Sequence, residues 1–206
     1  MQLSDITYRS EEIILAQVMN GKSQIEDIRE EISEFLRHAN NLALARKANI
    51  EGSDDEAIIF FIDNLESVIE RVAQAKDTVV MRLVSATNAF VDQPVYAYLQ
   101  IFENELLFKE GQVVAERIID GSLGQSVVQD ELMNLLMTAN DKATNQGMVT
   151  DTEGRVGQIS ASEFNTAKSQ IVDIGKKVNV LAVAVQDTWN TNPPLRIAFK
   201  IEEPKH

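Results

Sequence analysis

Val178-Asn179-Val180-Leu181-Ala182-Val183-Ala184-Val185 is the densest apolar run in the chain. It falls short of the ~18 apolar residues that a spanning helix needs, and it carries an Asn. Upstream, Phe164, Ala167, Ile171 and Ile174 lead into Val178, Leu181, Val185 and Thr188 at steps of three and four. That spacing predicts one long helix from about Ser160 to residue 190. Ser160 and Glu163 make a capping box at its start, and Asn192-Pro193-Pro194 stops it. Around Val178–Val185 the apolar surface is wider than one seam, so this part is expected to be buried on several sides.

Similar seams run through the first half. Ile25, Ile28, Ile32, Phe35, Ala39 and Leu42 share a helix stripe within Ser10–Ala48. Asn20-Gly21 either ends a shorter helix begun at Ser10 or is a weak point in one continuous helix, and Ser23 with Glu26 reads as a capping box beyond it. After a polar turn at 49–55, Ser53 and Glu56 open a second helix, from about Asp54 to Val91. Its seam is Ile62, Leu65, Ile69, Val72, Lys76, Val79, Leu83, Ala86 and Phe90. A helix of that length spans about 55 Å, which predicts an elongated molecule. Lys76 interrupts the seam; its stem packs while its ammonium reaches water, or it fixes register or oligomer state. Val95–Glu110 is read as helix, with strand as the alternative because Val95, Ala97, Leu99 and Ile101 alternate. Glu110-Gly111 then suits a hairpin turn.

Gln125–Ala143 reads as helix through Val128, Leu132, Leu135, Leu136 and Ala139, and Thr144–Ile159 as loop. Leu195, Ile197, Phe199 and Ile201 alternate with polar residues as a short strand, which must join a sheet. Its candidate partners are Val95–Ile101, Gln112–Glu116 or a strand of another subunit. The expected fold is mainly α: an elongated helical bundle or coiled-coil hairpin of N- and C-terminal helices. One domain of 206 residues would hold a helical stem at 10–91 and 160–190, a middle region at 92–159 and a strand tail at 195–201. No internal repeat stands out.

Composition narrows the function. Lys and Arg number 19 against 32 Asp and Glu, a net charge of −13. This argues against nucleic-acid binding and against docking on an anionic membrane. No membrane span is visible. Without Cys there is no disulfide, thiolate catalysis, Cys zinc site or iron–sulfur cluster. Met1-Gln2-Leu3-Ser4-Asp5 is no secretory signal, so cytoplasmic synthesis without a cleaved signal is expected, with export by a signal-independent route left open.

Few residues invite chemistry. Asp151 to Phe164 resembles an EF-hand loop, with Gly157, Ile159, Glu163 and Phe164 in place. Counted back from Glu163, however, Val156 stands where an oxygen ligand belongs. Glu30, Glu34 and His38 lie one turn apart on a helix face, which reads as a solvated charged face with Arg37. A Ser–His–Asp triad would need His38 or the terminal His206. Trp189 and Phe90 suit either partner anchors or closure of a helical core. No catalytic, cofactor-binding or metal residue is assigned, and no cofactor is expected.

The layout is similar to that of bacterial secretion-apparatus tip and filament subunits, whose terminal helices form a coiled coil around a variable middle. Seams on at least three helices, the apolar belt at Val178–Val185 and a tail strand without an obvious local partner point to a non-enzymatic structural or protein-interaction subunit that self-associates through helical seams. A place in a bacterial secretion or surface assembly is left open. The alternatives are a helical ligand-binding protein or enzyme with a site in 95–159, and a cytoplasmic chaperone or adaptor.

Overall fold

The computed structural model describes residues 6–61, 65–150 and 155–203. It is 36% helix and 34% strand, so the protein is an α/β fold and the mainly-α bundle is wrong. The chain divides into two compact units, Met1–Asn104 and Glu105–His206.

The first unit runs β1 (Ile6–Tyr8), β2 (Ile13–Asn20), α1 (Ile25–Ala45), β3 (Ile58–Phe60), α2 (Leu65–Gln74), β4 (Thr78–Ser85), β5 (Ala89–Phe90) and β6 (Val95–Glu103). Its sheet has the order β2-β4-β6-β3. The first two pairings are antiparallel, and β3 lies parallel to β6. β1 pairs with β5. The α1 seam residues Ile28, Ile32, Phe35 and Ala39 share a buried core with Met19, Val79, Met81 and Leu83 of the sheet.

The second unit runs β7 (Leu106–Phe108), β8 (Val113–Asp120), a 3-10 turn at Gly121–Leu123, α3 (Gln125–Asn145), β9 (Gly157–Gln158), α4 (Ala161–Ile174), β10 (Lys177–Ala184), β11 (Thr188–Trp189) and β12 (Leu195–Glu202). Its sheet order is β8-β10-β12-β9, with β9 parallel to β12, and β11 pairs with β7. Element by element this repeats the first unit. Gly21, Ala39, Asn40 and Ala43 recur as Gly121, Ala139, Asn140 and Ala143. The chain is therefore an internal duplication, which the sequence reading missed.

Two long helices in the expectation are really helix followed by strand. The helix from Ser160 ends at Ile174, capped by Gly175 in the left-handed region at φ 63°. Lys177–Ala184 is then strand β10, buried on both faces from Val178 onward. Val178, Val180, Ala182 and Ala184 join the core, while Asn179, Leu181 and Val183 are buried on the other side. A strand buried on both faces is apolar at successive positions, so a three-four seam can be drawn through it by chance. The same holds for β4, which with β3, α2 and β5 replaces the expected helix at 54–91. Val95–Glu103 is strand, as its alternation suggested, and not helix. Lys76 lies exposed between α2 and β4. The helical stem at 10–91 and 160–190 thus does not form, and 92–159 is not a separate middle region.

Other expectations fared better. A break does fall at Gly21, but the segment before it, expected as helix, is strand β2, and α3 spans the expected helix. The tail strand β12 does join a sheet of its own unit, antiparallel to β10. Neither Val95–Ile101 nor Gln112–Glu116 pairs with it; β12 lies between β10, expected as helix, and β9. The capping box at Ser160 and Glu163 forms. Ser23 and Glu26 form none, since the N-cap of α1 is Gln24 without a side-chain bond. Ser53 and Glu56 precede β3, not a helix.

Two repeated contacts position the sheets. The Gly21 N–H donates to Asp77 O at 3.2 Å, and the Gly121 N–H to Lys176 O at 3.1 Å. A Cβ on Gly21 would meet Asp77 O at 2.4 Å; one on Gly121 would meet Ile171 O at 2.0 Å. Asn40 Oδ1 accepts from the Ala57 N–H, and Asn140 Oδ1 from the Val156 N–H, both at 2.8 Å. Each asparagine so ties its long helix to the segment that leads into the parallel edge strand.

Candidate functional site

The parallel edge strand of the first unit is its most distinctive surface. The Val95 N–H donates to Ala57 O at 2.8 Å, and the Phe61 N–H to Ala97 O at 2.9 Å. Alternate residues of a parallel strand face its neighbour. Residues 57, 59 and 61 therefore face β6, and the backbone of Ile58 and Phe60 points outward from the sheet. The Ile58 and Phe60 side chains join the core. On the opposite sheet face Phe61 stacks on Tyr96, ring centroids 5.7 Å apart at 24°. Phe61 is 57% exposed and Tyr96 38%. Two residues on, the Tyr98 hydroxyl donates to Glu11 Oε2 at 2.7 Å. Burial and then the Glu11 carboxylate raise the Tyr98 pKa above the ordinary phenol value. In the second unit the same edge is Gly157-Gln158, with Ser160 and Arg196 where the first has Phe61 and Tyr96.

The second unit has its own features. A groove of about 620 Å³ is lined by Val149, Thr150, Arg155, Gln158 and Pro193-Pro194, among others. Gln158 and Ile159 also line a smaller hollow of about 320 Å³ that reaches Glu163 and Arg196. Glu163 is engaged in the helix cap, accepting from the Ser160 hydroxyl at 2.6 Å and the Ser160 N–H at 3.3 Å. These bonds hold its pKa below the ordinary carboxylate value. The outward half of α3 and the turn before it expose Leu123, Val127, Met133 and Met137. At the equivalent positions α1 and its leading turn carry Ser23, Asp27, Ser33 and Arg37.

Glu30, Glu34 and His38 all lie exposed on α1, with Arg37 3.8 Å from Glu34. Among the described residues no group of three or more His, Asp or Glu gathers as a metal cage. The start of the EF-hand-like stretch, 151–154, and His206 lie outside the described residues. Trp189 in β11 is exposed and Phe90 in β5 half-buried, at equivalent places in the two units. Sequence reasoning missed Phe61, Tyr96, Met133 and Met137. The Phe60-Phe61 doublet at the end of an apolar run was one available signal. Two Met four apart, outside the buried seam, was the other. No helix among the described residues is long and apolar enough to cross a membrane.

The second unit is similar to a known family. Residues 108–203, less than half of the chain, match the DUF3084-associated C-terminal helical hairpin. The helices in that stretch are α3 and α4, bridged by Lys168 Nζ and Gln129 Oε1 at 3.2 Å. They share a core with β8, β10 and β12, so the hairpin is only part of this unit. No curated protein and no solved structure matches the chain.

Proposed function

We propose that this protein is a non-enzymatic protein-interaction subunit that self-associates. The observation that carries this reading is the outward half of α3. Leu123, Val127, Met133 and Met137 stand in water where the other copy of the repeat has Ser, Asp, Ser and Arg. Apolar groups left exposed at positions that the same fold elsewhere fills with polar ones suit a contact surface. Methionine adapts to irregular partners and is enriched at interfaces. The helical seams themselves are used inside each core, so they are not the associating surface. The likeness to secretion subunits rested on the coiled-coil stem and goes with it.

Size-exclusion with light scattering over a range of concentrations tests this. Mass should rise with concentration, and Met133→Ser with Met137→Arg, which copies α1, should return the chain to monomer with its fold intact. A monomer at every concentration would sink self-association. A second reading has one observation in its favour. The 620 Å³ groove beside Pro193-Pro194 falls within the ~300–1,000 Å³ of ligand pockets, which would suit a ligand-binding protein. Ligand-induced stabilisation that Met133 and Met137 substitutions leave untouched would favour it.

A further inference from the structure

We infer that the β3 edge of the first unit takes an added strand from another protein, an apolar segment flanked by Lys or Arg. This rests on the interaction reading and names a second surface and its partner. Three features converge there. β3 ends its sheet, and the outward N–H and C=O groups of Ile58 and Phe60 have the repeat of a ladder. The stacked Phe61 and Tyr96 stand exposed beside that edge, where they would receive an apolar side chain of the incoming strand. Strand addition works in this way, with main-chain bonds for affinity and alternate side chains for specificity.

The repeat supplies the contrast. An exposed apolar edge invites unwanted pairing, and proteins ordinarily blunt it. The second unit does so with Gly157, Gln158, Ser160 and Arg196. The first unit keeps Ile58, Ile59, Phe61 and Tyr96 at those places.

Charge selects the occupant. Glu51, Asp54, Asp55 and Glu56 stand exposed just before β3. No Lys or Arg occurs between Lys47 and Arg71. A second copy pairing through this same edge would bring the same carboxylates and no cation, which like-charge repulsion disfavours. A basic-flanked strand meets both the apolar edge and its acidic approach.

The test uses the full chain and a synthetic peptide, Lys-Lys-Thr-Val-Thr-Val-Thr-Lys-Lys. Binding should weaken with added salt and should slow amide exchange at Ile58 and Phe60, the outward residues. Phe61→Ser with Tyr96→Arg, which copies the second unit, should weaken it by about tenfold or more. N-methylation of alternate peptide residues should abolish it without touching the protein. Equal binding of a Glu-flanked peptide, or amide protection away from β3, would overturn the inference. So would concentration-dependent protection of Ile58 and Phe60 in the peptide-free chain, which would name a second copy as occupant. If the peptide fails to bind while association through Met133 and Met137 persists, this inference falls and the interaction reading stands. If neither occurs, both fall.

Discussion

Gly21 and Gly121 show how much one missing Cβ can decide. Each sits where a strand turns towards its long helix, with a carbonyl in the space that a side chain would need. Gly21→Ala and Gly121→Ala should each cost about 3 kcal/mol through overpacking, read as a lower urea midpoint. A midpoint within experimental scatter would mean that the backbone yields there. Asn40→Ala removes the acceptor of the Ala57 N–H and the donor to Asp55 O. Leaving such groups unsatisfied costs about 1–3 kcal/mol, and faster exchange of the Ala57 amide would report it. Glu163 gives a pH signature. Its pKa is lower in the fold than in the free chain. Such a carboxyl adds stability above its unfolded value and loses it as pH falls through the folded value. The melting temperature should therefore drop in acid. Ser160→Ala should make that drop shallower, and an unchanged slope would exclude the cap as a contributor.

Elements differ in how plainly the sequence announces them. Ile32 is buried in the first core, so Ile32→Asp should cost several kcal/mol, on the order of a small domain's whole stability. Ile174, expected in the same kind of seam, ends α4 at 42% exposure. Ile174→Asp should leave thermal melting nearly unchanged, and a large loss there would mean that its surroundings are misjudged. Deleting Leu195–His206 removes β12 from between β10 and β9. The second unit should then lose its own stability, seen as loss of cooperative unfolding. Half-buried helices such as α1 and α3 were legible, because one polar face leaves the period visible. So was β12, whose polar side chains alternate. β4 and β10 were not, since burial of both faces erases any period. The duplication was hidden because matched core positions keep apolar character more than identity, and matched surface positions such as Ser33 and Met133 keep neither. Ile28, Ile32 and Phe35 answer to Val128, Leu132 and Leu135, and the offset slips from 100 to 99 before β10. The candidate surfaces were illegible for a related reason. An apolar residue in the sequence carries no mark of whether it ends in a core or in water.

At the scale of the molecule, far-UV circular dichroism should give helix and strand in nearly equal amounts, and a spectrum dominated by helix would refute the α/β fold. The duplicated units also differ in which apolar groups they expose: Phe61 and Tyr96 beside β3, with Ile25 on α1, in the first, and Leu123, Val127, Met133 and Met137 along α3 and the turn before it, with Val113 and Ile118 on β8, in the second. Two copies of one fold thus offer two unlike surfaces, and variants at one should leave binding at the other intact. The sheet order has a consequence in time. β2 pairs with β4, and β8 with β10, across the intervening helices. A ribosome adding about 5–20 residues per second needs on the order of 3–12 s to bring each later strand out after the earlier one. For that interval α1, and later α3, holds a formed or forming apolar face with no sheet centre to cover it. A newborn chain of this protein should therefore engage chaperones twice in its synthesis, once for each half.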